Sequence, residues 1–131
     1  MKVLLSIKPE FAFKIFDGSK KFEFRKSVFK NASVRTVVVY ASHPIQKVIG
    51  EFEVDEIYCR DPKLLWEMTK DYSGISEDIF FEYFFKRELG YAIKIKNVKQ
   101  YETPLSLADD FNGTTPPQSF AYLAKVASGP D

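Results

Sequence analysis

The stretch D-G-S-K-K-F-E-F-R, Asp17 to Arg25, sets Lys20, Glu23 and Arg25 close together behind a single glycine. A lysine, a carboxylate and a guanidinium in one short segment can do specific chemistry. Burial lowers the pKa of a lysine toward that of a useful base, while a neighbouring glutamate raises it again. With Glu23 beside it, Lys20 reads as a cation for a phosphate or a carbonyl oxygen rather than as a free nucleophile. Arg25 offers a planar fork suited to phosphate or to a base edge. Glu23 can accept a hydrogen bond from an exocyclic amine such as N4 of cytosine. A strict strand period of two puts Phe22 and Phe24 on one face and Lys21, Glu23 and Arg25 on the other. Lys20 then shares the phenylalanine side. For Lys20 and Glu23 to meet on one ligand, the chain near Ser19 to Lys21 must still be a turn or bulge. On these residues alone the plainer reading is a solvated strand, with ion pairs worth about 0–1 kcal/mol each.

Other candidates lie farther along the chain. Tyr40, Ser42 and His43 stand where a strand ends at Pro44. Tyr40 reads first as core. His43, the sole histidine, either titrates usefully near neutrality or is an exposed loop residue. Gln118 and Ser119 follow two prolines that fix the backbone, which favours exact placement of the amide; Ser119 equally suits the start of a helix. Glu77 is first a favourable charge near a helix N-terminus. Trp66, between Leu65 and Met68, reads as core packing rather than a platform for base stacking.

These residues need a scaffold, and 131 residues suit one domain by the usual range of roughly 100–200 residues. With 45% hydrophobic residues, including 13 Phe and 7 Tyr, the chain can fill a core. Residues 1–127 are expected to form that domain, and 128–131 a frayed tail. The net charge of +1 gives no bulk attraction to nucleic acid, so such binding needs a local patch. One cysteine, Cys59, excludes an internal disulfide and suits a reducing compartment. Cys59 and His43 cannot supply a zinc tetrad, so no metal is expected, and no cofactor. The start, M-K-V-L-L-S-I-K-P-E, is too short in apolar residues for a signal segment, and no run approaches the roughly 20 apolar residues of a membrane span. The expectation is a soluble, cytoplasmic protein without membrane partners.

Val3 to Ile7 is a short apolar strand candidate. Pro9 then opens a helix that Gly18 ends, with Phe11, Ala12, Ile15 and Phe16 on its apolar face. Strands are expected at Lys21–Arg25, Arg35–Ser42, Val48–Ile57 and Tyr91–Val98, from alternation and β-branched runs. Helices are expected at Pro9–Asp17, Pro62–Tyr72 and Glu77–Lys86, the last two capped by Asp61 and Ser76. Leu105 and Leu107 begin an irregular segment that leads through T-T-P-P-Q to the apolar piece Phe120–Leu123. Glu51, Glu53 and Asp55 are expected to face Lys94 and Lys96 across neighbouring strands, a structural use of charge. This order is not the βαβ alternation of a parallel sheet. It predicts an α+β fold, a small, mainly antiparallel β-barrel with three or more flanking helices.

Gly18, Lys20, Glu23 and Arg25 spell G-x-K-x-x-E-x-R, which resembles the signature of ASCH domains, members of the PUA-like superfamily of small β-barrels. The succession of V-V-V-Y-A-S-H-P, V-I-G-E-F-E-V and G-Y-A-I-K-I is similar to the ASCH order from Val3 to Val98. The closing P-P-Q-S-F-A-Y-L resembles the tail of bacterial ASCH proteins labelled transcriptional regulators. The resemblance implies a cleft between sheet and helices that faces RNA or a modified nucleoside. One bacterial ASCH branch is an amidohydrolase of N4-acetylcytidine. Its catalytic lysine falls at Lys20, its threonine at Glu23, and its helix-borne glutamate approximately at Glu77. A threonine nucleophile replaced by Glu23 means that its acyl-transfer route is not simply carried over.

Two functions follow. The first is a binding module, with a regulatory role as one expectation, that holds RNA or a nucleotide through Lys20 and Arg25, with Glu23, Ser42, His43, Gln118 and Ser119 completing the site. The second is an enzyme, a hydrolase of an acylated nucleoside or a ribonuclease, using Lys20 with Glu23 or Glu77. The chain carries no G-x-S-x-G elbow, histidine pair or phosphate loop.

Overall fold

The computed structural model describes residues 1–123; the tail expected at 128–131 lies outside them. Strand β1 (Lys2–Ile7) leads into helix α1 (Pro9–Asp17), which Pro9 opens and Gly18 closes in the left-handed region at φ 88°. Strands β2 (Phe22–Arg25), β3 (Thr36–Ala41) and β4 (Lys47–Arg60) follow. Helix α2 (Pro62–Thr69) starts where the Asp61 carboxylate accepts from Leu64 N–H, and α3 (Glu77–Tyr83) where the Ser76 hydroxyl accepts from Ile79 N–H. The long strand β5 (Gly90–Leu105), the short helix α4 (Leu107–Asp110) and strand β6 (Phe120–Leu123) complete the order.

Both middle helices end earlier than their apolar stripes predict. Thr69 leaves helical geometry at φ −122°, and Lys70–Tyr72 continue only as a 3-10 turn. Helix α3 stops at Tyr83 because Phe84 turns inward onto Gly90, and Lys86 takes a left-handed φ of 61°. Strand β5 runs past Val98 to Leu105, through residues that read as an irregular segment. Its bulged pairing with β4 carries it on: Gly50 faces Gln100 and Val48 faces Leu105.

Among the described residues the strands form one six-stranded sheet in the order β2-β5-β4-β3-β1-β6. Among the described residues only β1 and β3 pair in parallel; the other ladders are antiparallel. The expected charge ladder is present, with Glu53 opposite Lys96 and the Lys94 ammonium 3.7 Å from the Asp55 carboxylate. The fold is therefore α+β, as expected, with a mixed sheet. Among the described residues its backbone ladder begins at β2 and ends at β6 and is not closed into the expected barrel by hydrogen bonds.

Both faces of the sheet are covered. Val37 and Val39 of β3 join the core beneath α1, while Val38 and Tyr40 join a cluster with Leu107. Tyr40 is thus core. A third cluster packs Phe22, Phe24 and Ala92 of the sheet against Leu65, Phe80 and Phe84. Trp66 belongs to it, its ring centroid 5.0 Å from that of Phe80. No helix among the described residues is long and apolar enough to cross a membrane.

Candidate functional site

The chain between α1 and β2 turns as the spacing of Lys20 and Glu23 requires. Lys20 N–H donates to the carbonyl of Lys14, and Lys21 N–H to that of Tyr72, so β2 begins only at Phe22. Lys20 is drawn inward and is only 2% exposed. Its ammonium donates to the Ser73 carbonyl at 2.7 Å and lies 4.8 Å from the centroid of Phe24 and 5.4 Å from that of Phe11. Burial among these rings lowers its pKa from 10.5 to about 8; the nearby Glu23 carboxylate pushes the other way, and Lys14 adds to the lowering. At Lys20 desolvation therefore outweighs the attraction of the Glu23 carboxylate, and a pKa of about 8 still leaves the amine mostly a cation at neutral pH.

Glu23 is buried on the opposite strand face, as the period of two requires, yet it lines the same cavity as Lys20. Its Oε2 accepts from Arg25 Nη1 at 3.2 Å. The same nitrogen donates to the Ser6 carbonyl at 3.3 Å, and Nη2 donates to the Ser119 carbonyl at 2.7 Å. Arg25 thereby ties β2 to β1 and to the residue before β6, across the seam that backbone pairing leaves open. Its fork is largely engaged within the protein.

Lys20, Glu23, Arg25 and Gln118 line one cavity of about 610 Å³. Ser119 meets it only indirectly, through the carbonyl that holds Arg25 and a hydroxyl 3.4 Å from that of Ser27. Ser42, His43 and Glu77 are not on its wall. Ser42 shapes the turn after β3, donating to Ile7 and accepting from Ile45 through its backbone. His43 is exposed in that turn, and Glu77 is exposed in the first turn of α3. Among the described residues no group of His, Cys, Asp or Glu side chains is arranged to hold a metal ion.

Sequence reasoning passed over several wall residues. Phe11 of α1, Ile79 and Tyr83 of α3, and Ile75 supply apolar and aromatic surface. Burial raises the pKa of the Tyr83 phenol. Ser6 also lines the cavity, and its buried hydroxyl finds no hydrogen-bond partner among the described residues. A serine in the otherwise apolar run V-L-L-S-I was the available signal. The S-G dipeptide at Ser73 and Gly74 was another, marking a turn that closes over Lys20.

The ASCH domain model matches residues 5–108. A protein named ASCH domain-containing ribonuclease from Zymomonas mobilis is 30% identical over 128 residues, 95% of this chain and 85% of that protein. The crystal structure of ASCH from Zymomonas mobilis superposes with a TM-score of 0.88 at 28% identity, covering 95% of this chain and 88% of that one. Two Ureaplasma parvum proteins match in part. ATP synthase subunit alpha is 33% identical over 92% of this chain, which spans 15% of its length. Large ribosomal subunit protein uL22 is 29% identical over 92% of this chain, which spans 39% of its length. The family match over most of the chain, and a relative aligned almost end to end, agree with the G-x-K-x-x-E-x-R stretch, whose Lys20, Glu23 and Arg25 meet at the cavity. The chain belongs to the ASCH domain family.

Proposed function

We propose that this ASCH domain binds RNA and takes one unpaired nucleotide into the cavity walled by Lys20 and Glu23. The observation that carries this reading is the desolvated Lys20 ammonium beside a buried carboxylate on one cavity wall. A volume of about 610 Å³ falls within the span of small-ligand sites, roughly 300–1,000 Å³. Lys20 supplies a cation for phosphate or a base carbonyl, and Glu23 an acceptor for an exocyclic amine. Phe11 and Tyr83 offer ring surface to a base, and the Ser6 hydroxyl gains a partner from the ligand. Gln118, exposed at the rim, reads what enters. Arg25 acts here as the tie that fixes Glu23 rather than as the phosphate fork.

A second reading, RNA cleavage, draws on a specific feature. A lysine whose pKa is held to about 8 has a neutral fraction at mildly alkaline pH, and neutral Lys20 can take the proton of a ribose 2′-hydroxyl. The related protein named a ribonuclease favours the same reading. The test is titration of a labelled single-stranded octanucleotide with wild type and Lys20→Gln, followed by mass analysis of the mixture with N4-acetylcytidine present. Binding that weakens about tenfold in Lys20→Gln, with both compounds intact, supports the binding module. Shortened RNA moves the conclusion to the ribonuclease, and loss of the acetyl group moves it to the acylated-nucleoside hydrolase. Equal affinity of the two proteins removes Lys20 from the site.

A further inference from the structure

A second cavity, of about 510 Å³, adjoins the first and shares Lys26 with it. Its walls come from the segment after β2 and from the turn between α3 and β5. Lys26, Lys30, Lys86 and Arg87 line it against one carboxylate, Glu88. In a chain with a net charge of +1, that is a local concentration of positive charge. None of the four cations is within ion-pair distance of a carboxylate among the described residues.

The two walls are joined. Arg87 Nη2 donates to the Lys26 carbonyl at 2.8 Å, so the basic residues keep a fixed spacing. The Lys26 ammonium lies 4.9 Å from the ring centroid of Tyr83, which lines the first cavity, so Lys26 stands at the junction. Tyr91 provides an aromatic surface in the groove, and Phe85, 70% exposed, lies beside Lys86. The Lys86 ammonium lies 5.4 Å from the centroid of the Phe85 ring. Cations interleaved with rings along a groove suit a nucleic-acid strand, with phosphates on the cations and bases on the rings.

We infer that the groove of Lys26, Lys30, Lys86 and Arg87 carries the phosphate backbone of a single RNA strand whose unpaired nucleotide enters the Lys20–Glu23 cavity. The ligand is thus a polymer rather than a free nucleoside. This rests on the nucleotide reading of the first cavity. A duplex is disfavoured because its bases cannot enter that cavity without unpairing.

The test compares a nucleoside monophosphate, a single-stranded octanucleotide and an eight-base-pair RNA duplex, across salt concentrations. The proteins are wild type, Lys20→Gln and the double variant Lys30→Gln/Lys86→Gln, whose exposed side chains can be changed without opening the core. The octanucleotide is expected to bind wild type about tenfold tighter than the monophosphate at low salt. In the double variant that advantage shrinks, and the log–log salt slope flattens by about 1.4, at roughly 0.7 per lost phosphate contact. If the octanucleotide binds no tighter than the monophosphate while Lys20→Gln weakens both, the groove is overturned and the cavity reading stands. If the octanucleotide depends on Lys30 and Lys86 but not on Lys20, the groove stands as a strand-binding surface and the cavity reading falls. A duplex bound as tightly as the single strand overturns the inference.

Discussion

Gly74 packs on the stem of Lys20: a Cβ built at Gly74 would lie 2.5 Å from the Lys20 Cβ and 2.6 Å from its Cγ. The carbonyl of the preceding residue, Ser73, accepts the Lys20 ammonium. One short turn therefore covers the lysine along its stem and holds it at its head, and this fixes the cation beside Glu23.

Gly74→Ala is expected to disturb the site twice. Gly74 sits at φ +70°, where a side chain is strained, and the added carbon would press on the lysine stem. The combined effect is a stability loss of about 2 kcal/mol, read by urea unfolding, together with weaker RNA binding. An alanine variant that unfolds and binds as wild type does would deny the turn this role.

Arg25→Ala should act on the fold more than on ligand charge. Arg25 leaves three partners behind: the Glu23 carboxylate and the carbonyls of Ser6 and Ser119. The Glu23 side chain is 8% exposed and the Arg25 side chain 12%, so little water replaces the guanidinium. The expected loss is about 3 kcal/mol in unfolding free energy. Arg25→Lys should recover only part of it, because one ammonium lacks the fork that reaches both strands. A surface-like loss near zero would mean that the seam is held elsewhere.

Lys20 gives the protein a pH dependence with a definite sign. The unfolded chain keeps this lysine protonated up to 10.5, while the folded chain releases the proton from about 8. The unfolded state thus binds more protons between these values, and stability rises with pH across the window. The cost of the buried ammonium is fully present below pH 8 and is relieved by pH 10.5, by about 3 kcal/mol in all. RNA affinity moves the other way, falling above pH 8 as the cation is lost. Lys20→Gln should flatten both profiles, measured by urea midpoints and by binding titrations over the same pH range.

Much of this site was legible because its chemistry is local. Gly18 ends α1, the turn at Ser19 to Lys21 resets the strand phase, and Lys20, Glu23 and Arg25 follow within one segment. Asp61 and Ser76 likewise announce their helices through caps whose partners are a few residues away, and Pro9 announces α1 from its first turn. The opposite wall was not legible. Ser73 and Gly74 lie more than fifty residues from Lys20, and nothing in their own segment states which side chain they cover. Arg25 read as a ligand fork because two of its three partners, the carbonyls of Ser6 and Ser119, belong to the backbone and carry no sequence signal. Ser42 and His43 had suitable chemistry at a strand end, but the turn after β3 carries them off the cavity wall. The continuation of β5 through Gln100 to Leu105 was hidden because its polar residues pair with β4 across bulges, which break the alternation that marks a strand.

Glu23→Gln keeps the size of the side chain and removes its charge, which separates shape from electrostatics. The Glu23 carboxylate is the influence that holds the Lys20 pKa up against burial. Without it that pKa drops further, so a larger share of Lys20 is neutral at pH 7 and the site loses cation as well as the carboxylate charge. RNA affinity should therefore fall at pH 7 and recover toward wild type on acidification to about pH 6, where Lys20 is recharged. The midpoint of the affinity profile moves to lower pH by the part of the pKa that Glu23 supported. Base preference should move too, because the glutamine amide donates where the carboxylate only accepts. Binding of cytosine-rich and uracil-rich octanucleotides across pH 5.5 to 9 reads both effects. A midpoint that stays in place would show that Glu23 and Lys20 do not act as a pair.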